Sequence, residues 1–102
     1  MKTIWKYPLK IMDQQLIGMP KGAEVLSVIA QGDTPTLYAL VDPSESIIPR
    51  QVRIYGTGNP FRETDGSGFV GTVTTNGGSL VWHVFVRMEV AEREPRLFGT
   101  RN

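Results

Sequence analysis

The sequence predicts an all-β domain, a small antiparallel sandwich or barrel of about seven strands. Three observations carry that prediction. Runs rich in β-branched and aromatic residues recur along the chain, cut by clusters of Gly, Pro, Asn and Asp. No window of helical length holds an apolar period of about 3.6 residues, and "MDQQLIG" or "AEREPRLF" would form a turn at most. Asn76-Gly77 stands between two apolar runs, the pair favoured in tight hairpins whose turn residues take positive φ.

Taken in order, strands are expected near 2–7, 14–19, 24–31, 36–42, 50–56, 68–75 and 79–90. The cuts fall on residues that tolerate or impose turn dihedrals: "PKGA" at 20–23, "QGDTP" at 31–35, "DPSES" at 42–46 and "NGG" at 76–78. In the strand at 36–42, Leu37, Ala39 and Val41 oppose Tyr38, Leu40 and Asp42. In the last strand, Leu80, Trp82, Val84 and Val86 oppose Val81, His83, Phe85 and Arg87. Both are apolar on two faces at their centres, which predicts central or doubly covered strands and makes a homo-oligomer plausible.

A chain of 102 residues, 40% hydrophobic and 21% charged, is the size and composition of one soluble domain. We place that domain at 1–90. The segment 91–102 carries Glu92, Arg93, Glu94, Arg96 and Arg101 around Pro95 and reads as a tail, extended or docked on a neighbouring subunit through Leu97 and Phe98. The absence of cysteine rules out disulfides and thiolate metal sites and is compatible with a reducing cytoplasm. A net charge of +1 predicts no attraction to a nucleic-acid polymer or a membrane surface. Lys6, Lys10 and Asp13 interrupt what a signal peptide would need as an apolar stretch, and no run approaches the about 18 apolar residues of a membrane span.

Catalytic chemistry is poorly provided for. His83 is the sole histidine, so no histidine metal cluster can form within one chain. No G-x-S-x-G elbow presents a serine, and "DGSG" at 65–68 is not that motif. The expectation is a protein with no enzymatic activity, no cofactor and no metal. A hydrolase reading rests on His83 alone and lacks a nucleophile and an orienting partner.

Binding is better provided for, in "RIYGTGNPFR" at 53–62. No phosphate-loop pattern leads into a helix here. Glycine at a strand end can still expose backbone N–H groups to an anion, and two arginines can add bidentate contacts. The candidate ligand-binding residues are Arg53, Tyr55, Gly56, Thr57, Gly58, Asn59 and Arg62, with His83 as a hydrogen-bond donor or general base, against the competing reading of a partly buried histidine paired to a backbone carbonyl or a cross-strand side chain. The competing reading makes the glycines a bulge or turn beside Pro60, and Glu63 and Asp65 would repel an anion if they faced the same way. Arg50, Arg87, Tyr38, Phe61 and Phe85 extend the set of cations and aromatic faces that grip nucleotides.

The series "MKTIWKYPL", "MPKGAEVLSV", "LYALVDP", "RIYGTGNP", "FVGTV" and "VWHVF" resembles a small family of uncharacterised phage and prophage proteins over most of residues 1–86. Trp5, Pro20, Gly22, Asp42, Gly56, Gly58 and His83 match that pattern. The resemblance implies a phage-encoded accessory protein working in the cytoplasm of a bacterial host, and carries no activity with it. The leading expectation is a non-enzymatic, homo-oligomeric protein that sequesters a small phosphorylated nucleotide, such as a host immune signal. The alternative is a protein-protein interaction module, either an inhibitor of a host protein or a virion accessory.

Overall fold

The computed structural model describes residues 1–62 and 66–88. Its strands are β1 (Thr3–Pro8), β2 (Gln14–Pro20), β3 (Glu24–Gln31), β4 (Thr34–Val41), β5 (Ile47–Gly56), β6 (Ser67–Thr75) and β7 (Leu80–Arg87). They form an antiparallel sandwich of two sheets, one ordered β1-β4-β3 and the other β2-β5-β7-β6. The two strands with apolar residues on both faces, β4 and β7, are each interior to their sheet. The expected tail at 91–102 and the last residues of the 79–90 segment lie outside the described residues.

The interior follows the alternation of each strand. Leu37, Ala39 and Val41 of β4 meet Val52 and Ile54 of β5 and Val84 and Val86 of β7 in one buried cluster with Met19, Val28 and Val73. Gly71 permits a close approach between the sheets, because a Cβ there would lie 2.9 Å from Val28 Cγ1. Among the described residues, one charged side chain is buried in this layer. Arg50 is 6% exposed; its Nε donates to the Arg87 carbonyl at 3.0 Å and its Nη1 to the Ala23 carbonyl at 3.0 Å.

The turns explain where the strands differ from expectation. β3 and β4 are joined by Gly32-Asp33 alone, with Gly32 at φ +65°, the first-position glycine that a two-residue hairpin favours. β4 therefore begins two residues early, at Thr34. β5 begins at Ile47 rather than near 50, and so contains Pro49. Pro49 pairs with Gly18 of β2, while pairing with β7 starts only at Val52, so the proline sits where β5 has one neighbour and its missing N–H costs no ladder bond. At the β4-β5 turn the Asp42 carboxylate accepts from the Ser44 hydroxyl at 2.7 Å and the Ser44 N–H at 3.0 Å. Those bonds, the hydroxyl first, hold the Asp42 carboxyl below the usual carboxylate range. Asn76, Gly77 and Gly78 take φ of 53°, 68° and 93° between β6 and β7, the hairpin foreseen at that point. Among the described residues no helix is long and apolar enough to cross a membrane.

Candidate functional site

Opposite the core, the four-stranded sheet presents a second face. Register sets its membership: Arg53 pairs with Phe85 and Tyr55 with His83 across β5 and β7, while Phe69 pairs with Phe85 and Thr72 with His83 across β6 and β7. These residues alternate with the buried Val52, Ile54, Val84 and Val86, so they point outward together. Phe61, from the loop after β5, folds onto them. Its ring lies 4.8 Å from Tyr55 and 5.2 Å from Phe85, which in turn lies 5.6 Å from Tyr55 and 5.3 Å from Phe69. Tilted and edge-on geometries at these separations are the favoured aromatic arrangements.

Beside this cluster runs a groove of about 370 Å³, lined by Asp13 and Gln14 from the start of β2, Arg53, Ile54 and Tyr55 from β5, and Asn59, Pro60 and Arg62 from the following loop. The loop is held back over the sheet by the Tyr55 hydroxyl, which accepts from the Arg62 N–H and donates to the Arg62 carbonyl, both at a long 3.4 Å. The main chain of Asp13 is fixed to β5, its carbonyl accepting the Ile54 N–H at 3.2 Å. Among the described residues of the lining, two arginines stand with one aspartate, and Tyr55 supplies an aromatic ring. The volume falls within the range of about 300–1,000 Å³ typical of small-ligand pockets.

The candidate residues thus divide into groups. Arg53, Tyr55, Asn59 and Arg62 come together in the groove. Gly56, Thr57 and Gly58 instead make the turn above it: the Asn59 N–H donates to the Gly56 carbonyl at 3.1 Å, and Gly58 at φ +90° occupies the third position, where type II turns require positive φ. A Cβ at Gly56 would meet Asn59 Nδ2 at 3.0 Å, so this glycine also keeps the turn closed on the sheet. His83 does not line the groove. Its Nε2 is hydrogen-bonded to the Thr57 hydroxyl at 2.8 Å and its Nδ1 to the Thr72 hydroxyl at 2.9 Å, so both ring nitrogens tie the turn to β6 across β7. Engaged at both nitrogens, the imidazole holds the loop in place on the sheet.

Of the wider cation and aromatic set, Arg50 faces the core. Tyr38 belongs to the other sheet, with its hydroxyl 3.0 Å from Gln31 Oε1. Glu63 and Asp65 lie outside the described residues. The residues that sequence reasoning did not single out are Asp13, Gln14 and Pro60 in the groove and Phe69 and Thr72 on the aromatic face. Pro60 was within the flagged stretch, whereas the other four reach the site through strand pairing, which leaves no local mark on the chain.

Neither the curated proteins nor the solved structures contain a match to the chain. A family model does match, over residues 1–95, so nearly the whole sequence, including both strands of the groove and its loop, follows a shared pattern. The chain belongs to the family described as a domain of unknown function, DUF7352.

Proposed function

We propose that this chain is a non-enzymatic binding protein that captures a small phosphorylated nucleotide in the groove between β2 and the loop after β5. The observation that carries the reading is the shared lining: Arg53, Arg62, Tyr55 and Asn59 border one groove, although eight residues separate the two arginines. Arginine forks suit phosphate oxygens. Tyr55 offers a ring face to a base, a contact worth roughly 1–3 kcal/mol. Asn59 and Asp13 offer hydrogen-bonding groups for a base edge or a sugar hydroxyl. Sequestration asks for no catalytic residue, which suits a histidine held by two threonines. The resemblance to phage proteins extends the reading to a homo-oligomer acting in a bacterial cytoplasm, with a nucleotide signal of host defence as its cargo.

The test is native mass spectrometry of protein freshly purified from bacteria, under gentle and denaturing conditions, followed by calorimetric titration of the mass that is released. A retained nucleotide-sized mass is expected, and Arg62→Ala is expected to weaken its binding at least about tenfold, the loss of one charge-assisted contact. Bare protein, together with unchanged binding of added nucleotides by Arg53→Ala and Arg62→Ala, would end this reading.

A second reading is favoured by one observation: Phe61 and Phe69 remain 52% and 60% exposed on the aromatic face. Aromatic rings rimmed by arginine are the composition of protein-protein hot spots. In this reading a host or virion protein covers the face and the glycines serve only the turn. A stoichiometric protein recovered with the wild type and lost with Phe69→Ser would favour it over nucleotide capture.

A further inference from the structure

The other sheet carries a feature that the groove does not use. Each sheet of an open sandwich has two edges, whose outward backbone groups can template a further strand. β3 breaks its edge with a register shift between Val25 and Ser27, and β6 does the same between Phe69 and Gly71. β2 has Gly18 at its middle and ends on Pro20. β1 differs from all of them. Its six residues, Thr3 to Pro8, pair with β4 without a shift, and it contains no glycine. Its side chains alternate: Trp5 and Tyr7 share the inner face with their partners Ala39 and Leu37, while Ile4 and Lys6 face outward. Ile4 is 56% exposed and Trp5 39%, large apolar groups left open on either side of an unbroken edge. The Tyr7 hydroxyl is buried with no hydrogen-bond partner among the described residues.

We propose that β1 pairs antiparallel with β1 of a second copy of this chain, across a two-fold axis centred on Trp5, joining two three-stranded sheets into a continuous sheet of twice that width. The register follows from face and charge. A two-fold axis perpendicular to the sheet keeps outer residues outer, so inner must oppose inner and the axis must pass through a residue. Centring on Ile4 sets Lys6 against Lys2 of the second copy, and centring on Lys6 sets Lys6 against its own equivalent. Like charges directly opposed are destabilising. Centring on Trp5 places tryptophan beside tryptophan on the inner face, Lys6 beside Ile4 of the second copy on the outer face, and Thr3 beside Tyr7. The paired run then spans Thr3 to Tyr7 and stops at Pro8, which has no N–H to offer.

This assignment extends the oligomeric part of the function proposed above, and it does not depend on what the groove binds. The test reads mass and register. Sedimentation of the wild type should give a dimer of the 11.3 kDa chain. Ile4→Lys opposes two lysine pairs across the axis and should weaken dimerisation about tenfold. Adding Lys6→Glu to Ile4→Lys should restore it, because each new lysine then faces a glutamate. The chain has no cysteine, so Trp5→Cys gives a clean second readout. Directly opposed Cα atoms in an antiparallel pair lie about 4.5–5.5 Å apart, within disulfide range, so mild oxidation should cross-link Trp5→Cys and leave Leu16→Cys on the other sheet uncoupled. A monomeric wild type at every concentration overturns the proposal. So does an Ile4→Lys variant that dimerises as well as the wild type, or a Trp5→Cys protein that cross-links no faster than Leu16→Cys. Arg62→Ala should leave the mass unchanged, which separates failure here from failure of the ligand reading.

Discussion

The two faces of the four-stranded sheet are built from alternate residues of the same strands, yet they obey different rules. On the inner face Val52, Ile54, Val84 and Val86 are at most 5% exposed, and the buried charged group of Arg50 is bonded to carbonyls on two separate chain segments. On the outer face, one residue along, Arg53 lines the groove, His83 is held between two threonines, and four aromatic rings cluster on the side turned away from the three-stranded sheet. Burial makes an unpartnered polar group costly, and Arg50 answers with two hydrogen bonds. The outer face is under no such constraint, so the presence of apolar rings and cations there calls for a functional explanation.

The sharpest way to break this comparison is to treat an inner and an outer arginine alike. Arg50→Met leaves the Arg87 and Ala23 carbonyls without their donors in a buried setting and should cost about 3 kcal/mol. Arg62→Met changes an exposed groove residue that bonds to Tyr55 through its main chain, and should alter stability by no more than about 0.5 kcal/mol. Urea unfolding with an unchanged denaturant slope measures both. Equal losses would show that the outer arginine is also structural, and would remove it from the ligand site.

A smaller effect comes from a tight inner contact. Gly71→Ala drives a methyl to within 2.9 Å of Val28 Cγ1, between two sheets that are already packed, and should cost about 1–2 kcal/mol. Thr72→Ala, its outward neighbour, removes only the hydroxyl bonded to His83 Nδ1 and should cost about 0.5 kcal/mol or less. The same unfolding curves measure the pair. A reversal of their order would place β6 the other way round on the sheet.

The inner face was legible in the sequence because its determinants are local. Alternation in 36–42 and 79–90 picked out two of the three interior strands, β4 and β7, and the turn residues at 31–35 and 76–78 placed the hairpins. Pro49 shows where local reading stops: proline argues against a strand interior, and only the pairing order, with β7 absent beside that residue, makes it harmless. The site was legible only where it is continuous in the chain. Arg53, Tyr55, Asn59 and Arg62 lie within ten residues and were found together. Asp13 and Gln14 reach the groove because Gln14 pairs with Arg53, a register that nothing near residue 14 encodes. Arg50 was grouped with Arg53 by residue type, and their separation onto opposite faces follows from their odd offset of three positions along β5. For His83 the competing reading, a histidine paired to a cross-strand side chain, matches the structure, although its two threonine partners, at 72 on β6 and 57 in the turn, could not be named from the chain alone.

The smallest expected effect on stability is also the most informative about the outer face. Phe69 is 60% exposed and touches the cluster through one edge-on contact with Phe85. An aromatic pair of this kind is worth about 0.5–1.5 kcal/mol when fully formed, and solvent already reaches most of this ring, so Phe69→Ser should cost about 0.5 kcal/mol. Its effect on association should be far larger than its effect on folding if a macromolecule covers the cluster, because an exposed ring gains its apolar contacts only when the partner arrives. Nucleotide capture in the groove predicts the opposite pattern: Phe69 lies outside the groove lining, so binding of a small ligand should survive the substitution while Arg62→Ala removes it. Measuring unfolding, nucleotide titration and protein recovery on these two variants therefore assigns the face and the groove separately. Loss of nucleotide binding in Phe69→Ser would join them into one site that reaches from Arg62 across Tyr55 and Phe85 to β6.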